Sequence, residues 1–309
     1  MFNLKNWFRS ARSQNDTWYF TEYSIRFDGS DSCERSLQTQ AVTAEGARTL
    51  EKAGEYVMRV HFENDQLTRV EEYYGVEWSD RELDPDEQDF RYRPIPVHPV
   101  FQLEYRAKGV HQLGGNCPDH FAMPHHPDLP VSIQYIGRIS QSDPRFKWIP
   151  FDDLHLVYPL FAGMGPLFLD YSNPLEPVIL NDFQSVHHTF KCVTPDTYIE
   201  FERKNFGGRP IALDTGYDII TLESGIGWGG VANWIQHPDI PRCPKSGNVM
   251  KFLAQFETTD LKTVKKVNVG PEDPQIQCYL DTLNFWCDGD LYIFLEPESK
   301  IVCLLIQNT

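Results

Sequence analysis

The sequence has 309 residues, 41% hydrophobic and 13% aromatic, which is enough to bury a sizeable core and excludes an intrinsically disordered chain. A formal net charge of −16 excludes general attraction to nucleic-acid backbones and to anionic membranes, so any charged partner is expected to be basic. Twenty-two prolines and 20 glycines indicate many turns and short strands, which favours a β-rich architecture over a helical bundle.

The N-terminal part of the chain predicts a small β-α-β-β domain. Apolar and polar residues alternate over 18–27, which is typical of a half-buried strand. A Thr-Ala-Glu start, followed by apolar residues at helical spacing, predicts a capped helix over 43–54. Two further strands are predicted over 55–62 and 67–74, joined in a hairpin by an Asn-Asp turn.

An acidic segment follows over 77–89, where seven acids accompany a single arginine. A solvated linker is one interpretation, because blocks of like charge usually stay exposed. The other is a docking surface for a basic partner. Four of the seven acids are its predicted binding residues: Glu82, Asp84, Asp86 and Glu87. We therefore predict an N-terminal domain over 1–98, with an acidic linker at 77–99, and a second domain over 100–309.

The second domain contains an internal similarity between two segments. His-Gln-Leu-Gly-Gly at 111–115 precedes Tyr-Ile-Gly-Arg-Ile at 135–139, and Ile-Gly-Trp-Gly-Gly at 226–230 precedes Phe-Leu-Ala-Gln-Phe at 252–256. The intervening loop is polar and proline-rich in both cases. Two divergent copies of one β-rich unit explain this spacing. The copies are placed at about 100–200 and 201–309. The later apolar runs, also predicted strands, are 167–170 and 291–294.

Residues 226–256 carry a resemblance to a known family. Their order of Gly-Gly, Trp-Ile-Gln, Pro, Cys-Pro, Gly, Met, Phe-Leu and Gln resembles the YwqG-like family of bacterial proteins of unknown function. The segment 285–294 is similar to the family's closing strand, with its Trp, Gly-Asp and Leu-Tyr motifs. The resemblance covers residues 105–309 and implies a duplicated β-rich fold. The family is distantly similar to the programmed-cell-death-protein-2 group, which chaperones a ribosomal protein, and relatives occur near toxin–immunity systems.

A loop rich in Cys and His offers candidate metal ligands. Cys117, His120, His125 and His126 are residue types that bind zinc. Structural zinc sites normally use paired spacings, however, and adjacent histidines rarely share one metal. Three prolines in the same stretch favour a surface loop, which is the competing interpretation.

The Cys-Pro-Lys-Ser-Gly motif at 243–247 departs from a pattern found in relatives. The resemblance implies a Cys-Pro-x-Cys-Gly knuckle here, but Ser246 replaces the second cysteine. Zinc is therefore not expected, and Pro244 and Gly247 are predicted to hold the turn. No phosphate loop, nucleophile elbow or dinucleotide fingerprint is present, so no cofactor is predicted.

Aromatic residues near the glycine-rich segments suggest a binding groove. Such a groove between the two copies would suit an extended or basic peptide. The alternative is that these rings only pack the core. The predicted groove residues are Tyr135, Trp228, Trp234, Phe252 and Trp286.

These observations predict an α+β, mainly β protein that acts as a non-enzymatic intracellular binding module, of an immunity or chaperone-like kind. Its expected partner is a basic protein or peptide, without nucleic acid or membrane, and its oligomeric state is left open. A metal-dependent hydrolase using the 117–126 loop is one alternative, and a structural domain without a tight ligand is another. The N-terminus lacks the apolar core of a signal peptide, so a cytoplasmic location is predicted.

Overall fold

A computed structural model of the chain describes part of its residues, including the backbone of four N-terminal strands. The described residues are 18–27, 33–42, 57–63, 66–73, 101–183, 186, 188–212, 225–230, 232, 235, 239–248, 250–271, 274, 276–286 and 289–308. The protein is mainly β, with 43% strand and 4% helix, which confirms the predicted class at that level. Within the described residues, no helix is long and apolar enough to cross a membrane.

The chain divides into two compact units, and the first comprises residues 1–101 and 210–224. Its described part is an antiparallel sheet in the order β2-β1-β3-β4. These strands are β1 (Trp18–Phe27), β2 (Cys33–Val42), β3 (Val57–Glu63) and β4 (Gln66–Tyr73). Strand β1 and the pairing of β3 with β4 match the sequence prediction, whereas β2 was not predicted. The predicted helix at 43–54 and the acids of 77–89 lie outside the described residues.

The second unit comprises residues 102–209 and 225–309. Its strands run in the order β8-β7-β6-β13-β5-β14-β15-β17-β18-β10-β11, with β16 also paired to β13. The strands, two of which extend into the first unit, are β5 (Phe101–Tyr105), β6 (His111–Gly115), β7 (Gln134–Ser140), β8 (Asp153–Tyr158), β9 (Ala162–Gly163), β10 (Leu167–Asp170), β11 (Val178–Ile179), β12 (His188–Thr189), β13 (Tyr198–Ala212), β14 (Gly227–Gly229), β15 (Lys251–Glu257), β16 (Thr263–Val267), β17 (Asp290–Glu296) and β18 (Ile301–Gln307). A 3-10 helix, Pro144–Phe146, and helix α1, Gln277–Asp281, complete it.

The strand order repeats on the two sides of the central pair β13 and β5. Strands β6, β7 and β8 follow outward on one side, and β14, β15 and β17 follow on the other. The register shifts between Tyr135 and Gly137 where β7 pairs with β8. It shifts between Phe252 and Ala254 where β15 pairs with β17. The two irregularities therefore fall at positions that the internal similarity aligns.

The core of the second unit is centred on β17 and β18. Every residue of β17 is buried, and six of the seven residues of β18 are buried. Continuous apolar runs are typical of strands covered on both faces, since both sets of side chains must leave water. Asp290 and Glu296, at the two ends of β17, are the polar exceptions in that strand.

Two glycines allow neighbouring strands to approach closely. Gly137 has φ of +152° and Gly227 has φ of +147°. A Cβ atom at Gly137 would overlap the carbonyl oxygen of Gln112 on β6, and one at Gly227 would overlap that of Gln255 on β15. Both strand pairs therefore require glycine at the contact.

We expect Gly137→Ala to lower the free energy of unfolding by about 2 kcal/mol or more, because the added Cβ must displace backbone of β6. Urea denaturation of the full chain measures the change. Gly165→Ala is the control, since a Cβ there meets no atom within 4 Å, and a change within about 0.5 kcal/mol is expected. Equal losses in the two variants would contradict the close-approach argument.

Candidate functional site

Cys117, the first predicted metal ligand, is a half-buried neutral thiol. Its Sγ lies 3.6 Å from the carbonyl oxygen of Phe121. Burial, and then the charge of Asp119, raise the pKa of the Cys117 thiol to about 11. Because the thiolate is both the metal ligand and the nucleophile, this environment favours neither role.

The three histidines of the same loop do not converge on Cys117. His120 is exposed, with its ring 5.9 Å from that of His155, and His125 is exposed. His126 packs on Phe183 at 4.9 Å. Nowhere in the described part of the chain do three His, Cys, Asp or Glu side chains gather to hold a metal. The geometry therefore does not support the zinc alternative at Cys117, His120, His125 and His126.

A buried polar network lies behind the 117–126 loop. The Tyr135 hydroxyl and the His155 Nδ1 atom share a hydrogen bond of 3.0 Å. The Tyr171 hydroxyl donates to the His155 carbonyl oxygen. Burial lowers the pKa of His155 to about 4, so its ring is neutral at pH 7. This network satisfies polar groups inside the core and offers no charged ligand.

The predicted aromatic groove is largely part of the core. Tyr135, Trp228 and Phe252 are buried, which agrees with the alternative interpretation that these rings pack the core. Trp234 lies outside the described residues. Trp286 is half-buried and retains an accessible edge.

The motif at 243–247 forms the predicted turn. The Gly247 N–H donates to the Cys243 carbonyl oxygen at 2.8 Å, and Gly247 has φ of +71°. The Ser246 N–H donates to the Cys243 Sγ atom at 3.5 Å. Ser246 therefore contributes its backbone to the turn, although it cannot supply a second thiolate.

A pair of carboxyl groups lies where β15 ends and β17 begins. Glu257 and Asp290 are directly opposite in the antiparallel register, and Asp290 is only 6% exposed. The Gln255 Nε2 atom donates to Asp290 Oδ2 at 2.5 Å. Burial raises the pKa of Asp290 to about 7; the Gln255 hydrogen bond opposes this shift and the charge of Glu257 adds to it. Burial also raises the pKa of Glu257, and the Trp228 indole lowers it.

The two carboxyl groups lack a cation among the described side chains. No described Lys, Arg or His lies within ion-pair distance of Glu257 or Asp290, whereas several other carboxylates each have such a partner. Those pairs are Asp143 with Arg145, Asp153 with Arg138, Asp170 with Lys245, and Glu104 with Arg106. Among the described side chains, the charge at Glu257 and Asp290 is therefore compensated by hydrogen bonding and not by a cation.

The other half of the sheet has the corresponding acid already neutralised. Asp153 is opposite Ser140 at the start of β8, as Asp290 is opposite Glu257 at the start of β17. Arg138 donates to Asp153 at 2.5 Å, and the residue in its place beside Asp290 is Gln255. Asp153 therefore has a cation of the same chain beside it, whereas Asp290 has the neutral amide of Gln255 in the corresponding place.

Trp228 adjoins the carboxyl pair, and a second tryptophan, Trp286, lies in the turn that precedes β17. Trp228 is 2% exposed, and its indole nitrogen, although near Glu257, makes no hydrogen bond of good geometry with the described residues. Trp286 has φ of +63°, a strained conformation for a bulky residue, and its ring lies 5.3 Å from that of Phe190. Such strain concentrates at functional sites.

The turn that carries Trp286 is attached beside Glu257. The Phe285 N–H donates to Thr258 Oγ1 at 3.0 Å, and the Thr258 N–H donates to the Gly289 carbonyl oxygen at 3.2 Å. Trp286 and the acids therefore lie at the same end of the β15–β17 pair. We call this group the strand-end site. Its members are Trp228, Gln255, Glu257, Trp286 and Asp290.

Sequence reasoning named Trp228 and Trp286 as groove residues and did not name Glu257 or Asp290. A signal was present, because Glu257 ends one apolar run and Asp290 begins another. An acid at the end of a fully buried strand loses contact with water together with the strand.

Comparison of the chain with protein-family models, with curated proteins and with solved structures found no match. The resemblance to the YwqG-like family therefore stays a prediction.

We expect Asp290→Asn to stabilise the protein at pH 8. Below about pH 4 the carboxyl is protonated in both states, and between about pH 4 and 7 the folded state keeps a proton that the unfolded chain loses. Stability therefore falls as pH rises through this window and stays low above it. The neutral amide removes the effect, so the advantage of the variant grows by up to about 4 kcal/mol from pH 4 to pH 8.

Urea denaturation at a series of pH values measures this difference. Asp153→Asn is the matched control, because it removes the ion pair with Arg138 and should destabilise the protein at pH 8. A difference in unfolding free energy between Asp290→Asn and the wild type that does not change with pH would refute the raised pKa of Asp290.

Proposed function

We propose that this protein is a non-enzymatic cytoplasmic binding protein that captures a basic protein partner, of the immunity or chaperone-like kind. The strand-end site receives a Lys or Arg side chain of that partner. The observation that carries the proposal is the carboxyl pair Glu257 and Asp290, which is enclosed by the sheet without a cation among the described residues. Nucleic acid and membrane are not partners, because the net charge of −16 repels both.

An external cation would complete an arrangement that the other half of the sheet completes internally. Arg138 neutralises Asp153 there, and the amide of Gln255 leaves Asp290 without that charge. A guanidinium can bind two carboxylate oxygens at once, which suits two opposed acids. Trp286, whose backbone lies at the same end of the strand pair, adds a cation–π contact.

The metal-dependent hydrolase is not supported by the geometry of the 117–126 loop. Its thiol is neutral and its histidines are dispersed. Long-range attraction by the net negative charge instead favours rapid encounter with a basic protein. The acidic segment 77–89, with Glu82, Asp84, Asp86 and Glu87, would add to this attraction.

We also propose that residues 100–309 are two divergent copies of one unit, with a small β-α-β-β domain preceding them, as in the resemblance to the YwqG-like family. The repeated strand order on the two sides of β13 and β5 supports this proposal. The two register shifts at aligned positions support it independently. Divergence then explains how one copy retains an internal ion pair and the other a binding site.

Affinity purification with the tagged full chain, from a lysate of the organism that encodes it, tests the binding proposal. We expect one stoichiometric basic protein at pH 8 and low salt, identified by mass spectrometry, that is released as salt rises. The double variant Glu257→Gln and Asp290→Asn should lose it at least tenfold, because the amides cannot neutralise a cation. Trp286→Ala should weaken binding several-fold through loss of the cation–π contact.

Asp260→Asn is the matched control. It removes one acid just after β15, from a side chain 76% exposed and paired with Lys204, and should retain the partner. Binding should also weaken between pH 8 and pH 6, since protonation of Asp290 competes with the cation. Equal capture by the double variant and the wild type would rule out the strand-end site. Near-stoichiometric zinc without a protein partner would favour the enzyme alternative.

A further inference from the structure

Glu257 and Asp290 form a non-hydrogen-bonded pair of the β15–β17 ladder. The Glu257 N–H donates to the Ile226 carbonyl oxygen at 3.0 Å, toward β14, and the adjacent Thr258 N–H donates to the Gly289 carbonyl oxygen at 3.2 Å. Hydrogen-bonded and non-hydrogen-bonded pairs alternate in an antiparallel ladder, and side chains are closer in the second kind. Both carboxyl groups therefore extend from one face of the sheet, from Cβ atoms about 5 Å apart.

A third polar side chain continues this row on the next strand. Gln307 on β18 is directly opposite Asp290 and is 5% exposed. Asp290, in the middle of the row, is 6% exposed, whereas Glu257 is half-buried and the most accessible of the three. A ligand that enters beside Glu257 therefore meets two carboxyl groups and then an amide, in a setting with little water.

The other half of the sheet shows which cation fits beside such an acid. Arg138 on β7 donates to Asp153 on β8 at 2.5 Å, and Gln255 on β15 donates to Asp290 on β17 at 2.5 Å. In both halves the donor lies two residues before the residue opposite the acid. The same diagonal of the strand pair thus holds a guanidinium in one half and an amide in the other.

We propose that the strand-end site selects arginine over lysine in its partner, and that Gln255 keeps the site open to that arginine. This inference rests on the proposed function and specifies the side chain that is captured. A planar guanidinium presents N–H donors along two edges, so it can bind both carboxylates, whereas an ammonium group is a compact point charge. The guanidinium is also less strongly hydrated, so it loses less on entering an enclosed site.

Gln255 has a defined part in this selectivity. Its amide hydrogen-bonds Asp290 without neutralising it, so the pair still favours a cation. An arginine at position 255 would neutralise Asp290 from within the chain, as Arg138 neutralises Asp153, and would exclude the partner's side chain. If Gln255 and the acids were only structural, arginine and lysine would not be distinguished.

NMR titration of the ¹⁵N-labelled full chain with three capped amino acids tests the selectivity at pH 8 and low salt. The probes are N-acetyl-argininamide, N-acetyl-lysinamide and N-acetyl-citrullinamide, the last being an uncharged analogue of the first. The indole N–H signal of Trp228, which adjoins Glu257, reports binding and is assigned by its loss in Trp228→Phe. We expect a saturable shift with the arginine probe, about tenfold weaker binding of the lysine probe, and no saturable shift with citrulline.

Two variants show which groups produce the preference. Asp290→Asn leaves one acid, so it should bind the arginine and lysine probes about equally, and both weakly. Gln255→Arg should abolish the response to arginine. Asp260→Asn is the matched control and should keep the full preference, because its side chain is exposed and paired with Lys204. Circular dichroism establishes folding, and if Gln255→Arg does not fold, the ratio measured with Asp290→Asn decides.

Equal binding of arginine and lysine, or a preference for lysine, would overturn the selectivity and leave capture of a basic partner standing. An arginine preference that persists in Asp290→Asn would overturn it as well, since recognition would then lie elsewhere. The absence of a shift with all three probes would also overturn this inference. Whether a basic protein binds at the site is decided separately, by the affinity purification with the Glu257→Gln and Asp290→Asn double variant.

Discussion

Strand β5 lies between β13 and β14, although both of those strands come much later in the sequence. Backbone hydrogen bonds of 3.0 Å from Arg106 to Asn205 and of 2.8 Å from Ile226 to Leu103 join the three strands. The central pairing determines where the outer strands lie, because β6 is hydrogen-bonded to β13 on one side and β14 is hydrogen-bonded to β5 on the other. Each half of the sheet is therefore completed by a strand from the other half of the sequence, which binds the halves into one unit.

Enclosure of β17 within this sheet determines the chemistry of Asp290. A carboxyl group that loses water gains little from ionisation unless a cation is nearby, and the described residues provide Asp290 with only an amide. A cation arriving at Asp290 would meet no competing Lys, Arg or His among the described residues, whereas at Asp153 it would first have to displace Arg138. Under the proposed function, Asp290 contributes to binding at a cost in stability.

Local charge differs from net charge on this protein. The total of −16 describes the field at a distance, whereas the exposed Lys262 and Lys265 place positive charge beside and on β16 within that field. Contacts at short range depend on the few side chains that meet.

Local pattern in the sequence located many of the strands. The predicted strands at 18–27 and 167–170 coincide with β1 and β10, and the apolar segment 291–294 lies within β17. The turn at 243–247 was also evident, because proline and glycine restrict the backbone locally. These features depend on neighbouring residues, so they could be derived without knowledge of the fold.

The sequence by itself thus determined a β-rich, acidic chain with an internal similarity and the positions of its main strands. Only the tertiary structure decided that Trp228 and Phe252 are buried whereas Trp286 is half-buried. All three are large aromatic residues, so the sequence pattern does not distinguish them. It also decided that Glu257 is opposite Asp290 and that, among the described residues, Cys117 and the histidines of its loop do not gather into a metal-binding group. Burial and cross-strand register arise from long-range pairing, and a shift of one residue would reverse the face of every side chain in a strand.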